Sequence, residues 1–208
     1  ETEAKGWALF FHPDLIRKSS LSQKMSKYTF FSYDMHESLH LSEKEKGIIS
    51  GIVEQIRLEY TNNIDVYTQN LIVSQLELLL NYAARFYGRQ FITRTTHNSD
   101  LLSRFESDLK EYFNSDKAFS SGLPTVKQCA KNLGMSPDYL SDMLKQETGK
   151  NAQEHIHYIT IDRAKNMLLG STQSVSEIAF SLGFEYPQYL SKLFKKKTGM
   201  TPAEFRNS

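Results

Sequence analysis

Apolar positions in the last third of the chain fall into short runs of helical spacing, and the runs come in two matching sets. Residues 126–134 (VKQCAKNLG) align with 175–183 (VSEIAFSLG), sharing Val, Ala, Leu and Gly. Residues 139–149 (YLSDMLKQETG) align with 189–199 (YLSKLFKKKTG), sharing six of eleven positions. Each set predicts a short helix, a sharp turn at Gly134 or Gly183, and a second helix. A left-handed turn needs a residue without Cβ, which is the role of those two glycines. Helix-start signals repeat with the same register. Thr125-x-x-Gln128 and Ser174-x-x-Glu177 fit a capping box before the first helix of each set. Asn151-x-x-Glu154 and Thr201-x-x-Glu204 open the helix that follows each set. Pro137 and Pro187 stand near the first turn of the second helix, where proline is tolerated. Helix, glycine turn and helix make a helix-turn-helix unit, and two copies in register carry far more weight than one.

The second helix of each set has two faces. In the later copy Leu190, Leu193 and Phe194 fall at core spacing, while Gln188, Ser191, Lys192 and Lys195 share the opposite face. In the earlier copy Leu140, Met143 and Leu144 face inward, and Asp138, Ser141, Asp142 and Lys145 face outward.

The first hundred residues read differently. Aromatic-rich runs at 7–11 and 28–33 predict short strands, and Trp7 is expected in the core. Ser42-x-x-Glu45 opens a helix over about 42–60. A second helix is expected over about 65–87, stopping at Gly88. Its Ile72, Leu76, Leu79, Ala83 and Phe86 alternate by four and three, a heptad-like seam. From spacing alone that seam serves equally for dimerisation or for packing on the preceding helix. Residues 89–99 are polar and aperiodic, which predicts a linker. A further helix over about 100–113 carries Leu101, Leu102, Phe105, Leu109 and Phe113. Residues 114–124 are expected to be loop. The fold class is therefore mainly α: two helix-turn-helix units (about 125–149 and 174–199) joined by a helix, after a small region with short strands and a helix pair. The domain division expected is 1–99 and 100–208.

Charge sharpens the second half. The chain of 208 residues has a net charge of +1, so a strongly basic tail is excluded while a local basic patch is not. Residues 1–100 carry 11 basic and 12 acidic side chains, and residues 101–208 carry 14 and 12. Lys192, Lys195, Lys196, Lys197 and Arg206 crowd into the last 23 residues against Glu204. A single cysteine excludes an internal disulfide framework. Cys129 stands where the later copy has Ile178 and is expected to be a small buried hydrophobe. No apolar run reaches the roughly 18 residues of a membrane span, and no secretory signal layout opens the chain. A cytoplasmic protein is expected, and the lack of a starting Met suggests missing upstream residues.

The residues TVKQCAKNLGMSPDYLSDMLKQETG, AQEHIHYITIDRAKNMLL and SVSEIAFSLGFEYPQYLSKLFKKKTGMTPAEFR resemble the DNA-binding domain of AraC/XylS-type transcription regulators. The resemblance covers about 100–208 and is most specific over 174–206. It implies two helix-turn-helix units on one joining helix, sequence-specific binding of double-stranded DNA, and control of transcription, usually activation through RNA polymerase. It further implies a homodimer and a sensor domain upstream that could bind a small-molecule effector. Only the last part of such a sensor fits into residues 1–99.

A recognition helix sits in the major groove with its N-terminal part near base edges. Gln188 can bond adenine through two atoms, Lys192 can donate to guanine, and Ser191 suits several bases. Lys145, Lys195, Lys196 and Lys197 suit phosphates, which position without specifying. The earlier copy has Asp138 and Asp142 where the later has Gln188 and Lys192. A carboxylate is repelled by phosphates but can accept from cytosine N4, so the second unit is expected to dominate base reading, with Ser141 a further candidate in the first. The joining helix, about 152–168, spans ~25 Å at 1.5 Å per residue. Successive grooves on one DNA face lie ~34 Å apart, so seating both units calls for bent DNA. The competing reading is a helical protein-interaction module that displays Asp138 and Asp142 to a partner.

Other signals are set aside. His36-Glu37-Ser38-Leu39-His40 matches the zinc-peptidase string HExxH, but it ends two residues before the helix start at Ser42, and no metal is expected there. His155 and His157 are two apart on a helix and do not share a face. Phosphate-loop and nucleophile motifs are missing. No cofactor and no catalysis are expected.

Overall fold

A computed structural model describes residues 6–115 and 117–208, which divide into two compact units. The first holds the residues up to Phe31 together with Leu39–Gln90. The second holds Ser32–Ser38 and Phe91–Ser208.

In the first unit, α1 (Ser20–Lys24) and α2 (Glu43–Thr61) pack with α3 (Thr68–Thr93). Leu21, Ile52, Ile56, Val73, Leu76 and Leu80 are buried together. The start of α2 is fixed as the sequence predicts: Ser42 Oγ accepts from Glu45 N at 3.3 Å and Glu45 returns a bond to Ser42 N at 2.8 Å. Arg89 Nε donates to the same Glu45 at 2.8 Å. The Ser42 amide, then the Ser42 hydroxyl and the Arg89 charge, hold the Glu45 carboxyl below the usual carboxylate range.

Three expectations for this region fail. No strand occurs among the described residues. The aromatic run at 28–33 forms a 3-10 turn over Thr29–Ser32, and its rings lie on α3: Phe30 stacks on Tyr87 at 5.5 Å and Tyr28 Oη donates to Asn81 Oδ1 at 2.9 Å. An aromatic run makes a strand only when another strand pairs with it, and here a helix face offers the apolar surface instead. Trp7 is not core but 54% exposed. Gly88 does not end α3, which continues to Thr93. A mid-helix glycine costs only about 1 kcal/mol, and the next turn is anchored because Gln90 Oε1 accepts from His40 N at 2.8 Å.

The second unit begins with α4 (Thr95–Asn114), so the expected linker 89–99 is helical apart from a break at Arg94. The buried Asn98 bridges that break by donating to Phe91 O at 2.7 Å. Within the segment Gln90 and Asn98 are buried, while Thr93, Thr96, His97 and Ser99 lie on the exposed side. The segment 114–124 is also not all loop, since α5 covers Lys117–Ser121.

Next come α6 (Val126–Leu133), α7 (Pro137–Thr148), α8 (Ala152–Gly170), α9 (Val175–Ser181), α10 (Pro187–Thr198) and α11 (Pro202–Arg206). All four capping boxes read from the sequence are present, at Thr125, Asn151, Ser174 and Thr201. Helix α8 is the spine. It packs on α7 at one end and on α9, α10 and α11 at the other. Around α8, Ile161, Ala164 and Leu168 join Ile178, Ala179, Leu190 and Phe194 in one buried cluster. Arg163 ties the spine to the end of α4, donating to Phe113 O at 3.1 Å and to Asn114 Oδ1 at 2.6 Å. A cation at a helix C-terminus also favours the helix dipole. Cys129 is buried, and burial pushes its thiol up to about 11.

The two glycine turns have one geometry. Met135 N donates to Ala130 O and Phe184 N to Ala179 O, each at 2.9 Å, closing both first helices in the Schellman manner. Gly134 and Gly183 have φ of 69° and 88°. Their surroundings differ. A Cβ on Gly134 would meet nothing within 4 Å, whereas one on Gly183 would lie 2.6 Å from Ala118 O and from Gly122 C. Gly134→Ala should cost the left-handed penalty alone, about 1–2 kcal/mol. Gly183→Ala should cost about 1–3 kcal/mol more, because main chain must shift. Urea unfolding of the two variants measures this, and equal losses would contradict it.

Candidate nucleic-acid interface

The site is built from the outward faces of the two second helices, α7 and α10. On α10, Leu190 and Phe194 are fully buried, and they fix the rotation of the helix. That rotation leaves Gln188, Lys192, Lys195, Lys196 and Lys197 exposed. Ser191 is half-buried and donates to Pro187 O at 3.3 Å. Pro187 occupies the first turn, and no side chain caps the helix start.

Two aromatic residues missed by the sequence reading stand at the same end. Tyr186 and Tyr189 are 46% and 54% exposed and meet edge to face at 5.7 Å. Aromatic residues usually signal core, and the repeat gave no contrary hint because Tyr189 aligns with Tyr139, which is 2% exposed. Arg206, counted in the basic stretch, is committed to structure. It donates to Leu168 O at 3.1 Å and to Gln173 O at 2.6 Å, holding α11 on the spine.

On α7, Leu140, Met143 and Leu144 are fully buried, as their spacing predicts. Lys145 is exposed and Ser141 half-buried. Asp138 and Asp142 are both occupied: Ser32 Oγ donates to Asp138, and Tyr33 Oη donates to Asp142 Oδ2 at 2.8 Å. The HExxH string is not an α-helix. Met35–Glu37 is one 3-10 turn and Ser38 is extended, so its histidines lack the shared face that zinc binding requires. The ligand atoms of Asp34, His36 and Glu37 do lie within 4.8 Å of one another. However, the Glu37 carboxylate is turned onto Ser136, taking bonds from its N at 2.8 Å and its Oγ at 2.6 Å.

The dimer-seam candidates lie on α3. Leu76 and Phe86 are buried, Ile72 and Leu79 are partly buried against the core of the first unit, and Ala83 is half-buried. The exposed leucines of α3 are Leu71 and Leu78, at 46% and 43%. No helix among the described residues is long and apolar enough to cross a membrane.

These features define a domain of two helix-turn-helix units whose last helix, α10, has a polar, lysine-bearing outward face. Residues 129–208 match the helix-turn-helix domain family. The chain is 45% identical over 85 residues to the transcriptional regulatory protein YesN of Bacillus subtilis, covering 39% of this chain and 23% of that protein. It is 26% identical over 192 residues to the HTH-type transcriptional regulator YijO of Escherichia coli, covering 92% of this chain and 64% of that one. The chain thus spans less than two thirds of either relative. Among solved structures, the C-terminal domain of the response regulator AraT from Geobacillus stearothermophilus aligns at a TM-score of 0.45 and 29% identity, over 51% of this chain and 84% of that one.

Two histidines of the spine make the stability of this unit depend on pH. Burial pushes the His155 imidazole below its ordinary value, and its Nε2 pairs with Thr148 Oγ1 at the end of α7, 2.8 Å away. Burial also lowers His157, helped by Lys197 and Lys196 of α10. Both imidazoles are therefore held below their ordinary value in the folded chain. Below the unfolded value of about 6.5 the unfolded chain binds more protons, so stability falls as pH drops through that value. The urea midpoint should be level between pH 7.5 and 8.5 and decline from pH 7 to 5.5, with the decline reduced in His155→Gln. A flat midpoint down to pH 5.5 would contradict the assignment.

Proposed function

We propose that this protein is a sequence-specific regulator of transcription that binds double-stranded DNA, with α10 as its principal reading helix. The single observation that carries the reading is the presentation of Gln188 and Lys192 on the exposed face of a helix whose opposite face is locked by Leu190 and Phe194. A rigid helix holding an amide and an ammonium one turn apart suits adenine and guanine edges in the major groove. Tyr189 adds an apolar face that can meet a thymine methyl group. Lys195, Lys196 and Lys197 supply phosphate contacts beyond it, and Lys145 does so from α7.

Helix α8 has 19 residues, or about 28 Å at 1.5 Å per residue. That is less than the ~34 Å between grooves on one DNA face. Engaging both units therefore bends the DNA, a cost met only when both recognition helices make contacts. The family resemblance supports activation through RNA polymerase, and a small-molecule effector acting on an upstream domain. Association into a homodimer would use the exposed Leu71 and Leu78 stripe of α3, because Leu76 is spent on the unit's own core. A concentration-independent monomer in sedimentation would remove that part.

Selection of bound sites from a random duplex pool tests the main reading, and a failure to enrich any sequence would refute it. On a selected site, Lys192→Ala should weaken binding by roughly 10- to 100-fold and relax preference at one base position. Lys196→Ala should weaken all sequences alike and reduce the salt slope by about 1. Exchange of these two signatures would reverse the assignment of reading and phosphate roles.

A further inference from the structure

We infer that residues 32–38 form an autoinhibitory strap that closes the first helix-turn-helix unit to DNA. The inference rests on the DNA-binding reading above and concerns only the earlier unit.

The contacts of the strap fall on the turn, on the start of α7 and on its outward face. Glu37 is 2% exposed, and its carboxylate takes bonds from Ser136 N and Oγ at the start of α7. An anion held on the N-cap donors of a recognition helix occupies the place of a backbone phosphate. His36 Nε2 donates to Gly134 O at 3.0 Å, which fastens the strap to the turn. Ser32 and Tyr33 donate to Asp138 and Asp142, the positions that align with Gln188 and Lys192. The strap itself is folded by Glu37 accepting from Asp34 N at 2.7 Å.

The internal repeat supplies a control within the molecule. Tyr139 and Tyr189 are aligned residues on equivalent helices. Tyr189 is 54% exposed, while Tyr139 is 2% exposed. The Tyr33 ring meets Tyr139 edge to face at 5.2 Å, and Phe91 meets it at 5.1 Å. The same side chain is open in one copy and roofed in the other. Asp138 and Asp142 then have a purpose that base reading does not give them: they accept the hydroxyls that hold the roof. In sequence the strap lies between Phe31 and Leu39, the residues of the first unit on either side of it.

The test compares wild type, Glu37→Ala with Tyr33→Phe, and Lys192→Ala on a random-sequence 40-base-pair duplex pool across a salt series. The strap variant should bind roughly tenfold or more tightly than wild type, since its N-cap donors can take a phosphate through charge-assisted bonds. Its salt slope should be steeper by about 1. Unchanged or weaker binding by a folded strap variant, with wild type still binding, overturns the strap and leaves the DNA reading intact. Failure of all three proteins to bind defeats both. If the strap variant does not fold, Glu37→Cys with Ser136→Cys gives a second measurement. Oxidation should lower affinity and reduction restore it, and equal affinity in the two states overturns the inference.

Discussion

The interface depends on how two short helices are held at a glycine turn so that one face of the second is forced inward. In the later unit this constraint is tightest. Gly183 adopts a left-handed conformation, Leu123 N donates to its carbonyl at 3.2 Å, and main chain from the α5 loop fills the space a Cβ would need. Backbone packed on backbone cannot adjust by changing rotamer. The direction of α10 is set there, and Leu190 and Phe194 then fix its rotation. The outward presentation of Gln188 and Lys192 follows from those two facts and needs no interaction of their own.

The same plan, repeated at Gly134, gives a different result because of what lies outside the repeat. The turn, the cap and the inward face of α7 match those of the later copy. Its outward face is committed to Ser32, Tyr33, His36 and Glu37. Two units with one architecture thus differ in access. The outward face of the first unit carries Asp138 and Asp142, and that of the second carries Gln188 and Lys192.

Much of the C-terminal fold was legible in the sequence because its determinants are local. Capping boxes at Thr125, Asn151, Ser174 and Thr201 act over three residues, and glycine turns act over one. Apolar spacing fixed which faces of α7 and α10 were buried. The N-terminal region was less legible for a physical reason. Tyr28 and Phe30 carry strand propensity, but their conformation was decided by α3, more than fifty residues away. Gly88 was overridden by the bond between Gln90 and His40 N. The strap was invisible because Glu37 and Ser136 are 99 positions apart and HExxH suggested a different chemistry. The exposure of Tyr189 against the burial of Tyr139 could not be read from identical letters.

Methylation interference on a selected duplex tests the central claim most directly, because guanine N7 faces the major groove and adenine N3 the minor groove. A reading helix carrying Gln188 and Lys192 predicts strong interference from N7 methylation at guanine within one compact half-site, and its loss at one position in Lys192→Ala. Interference confined to adenine N3, or none at any guanine N7 of the bound site, would contradict the account.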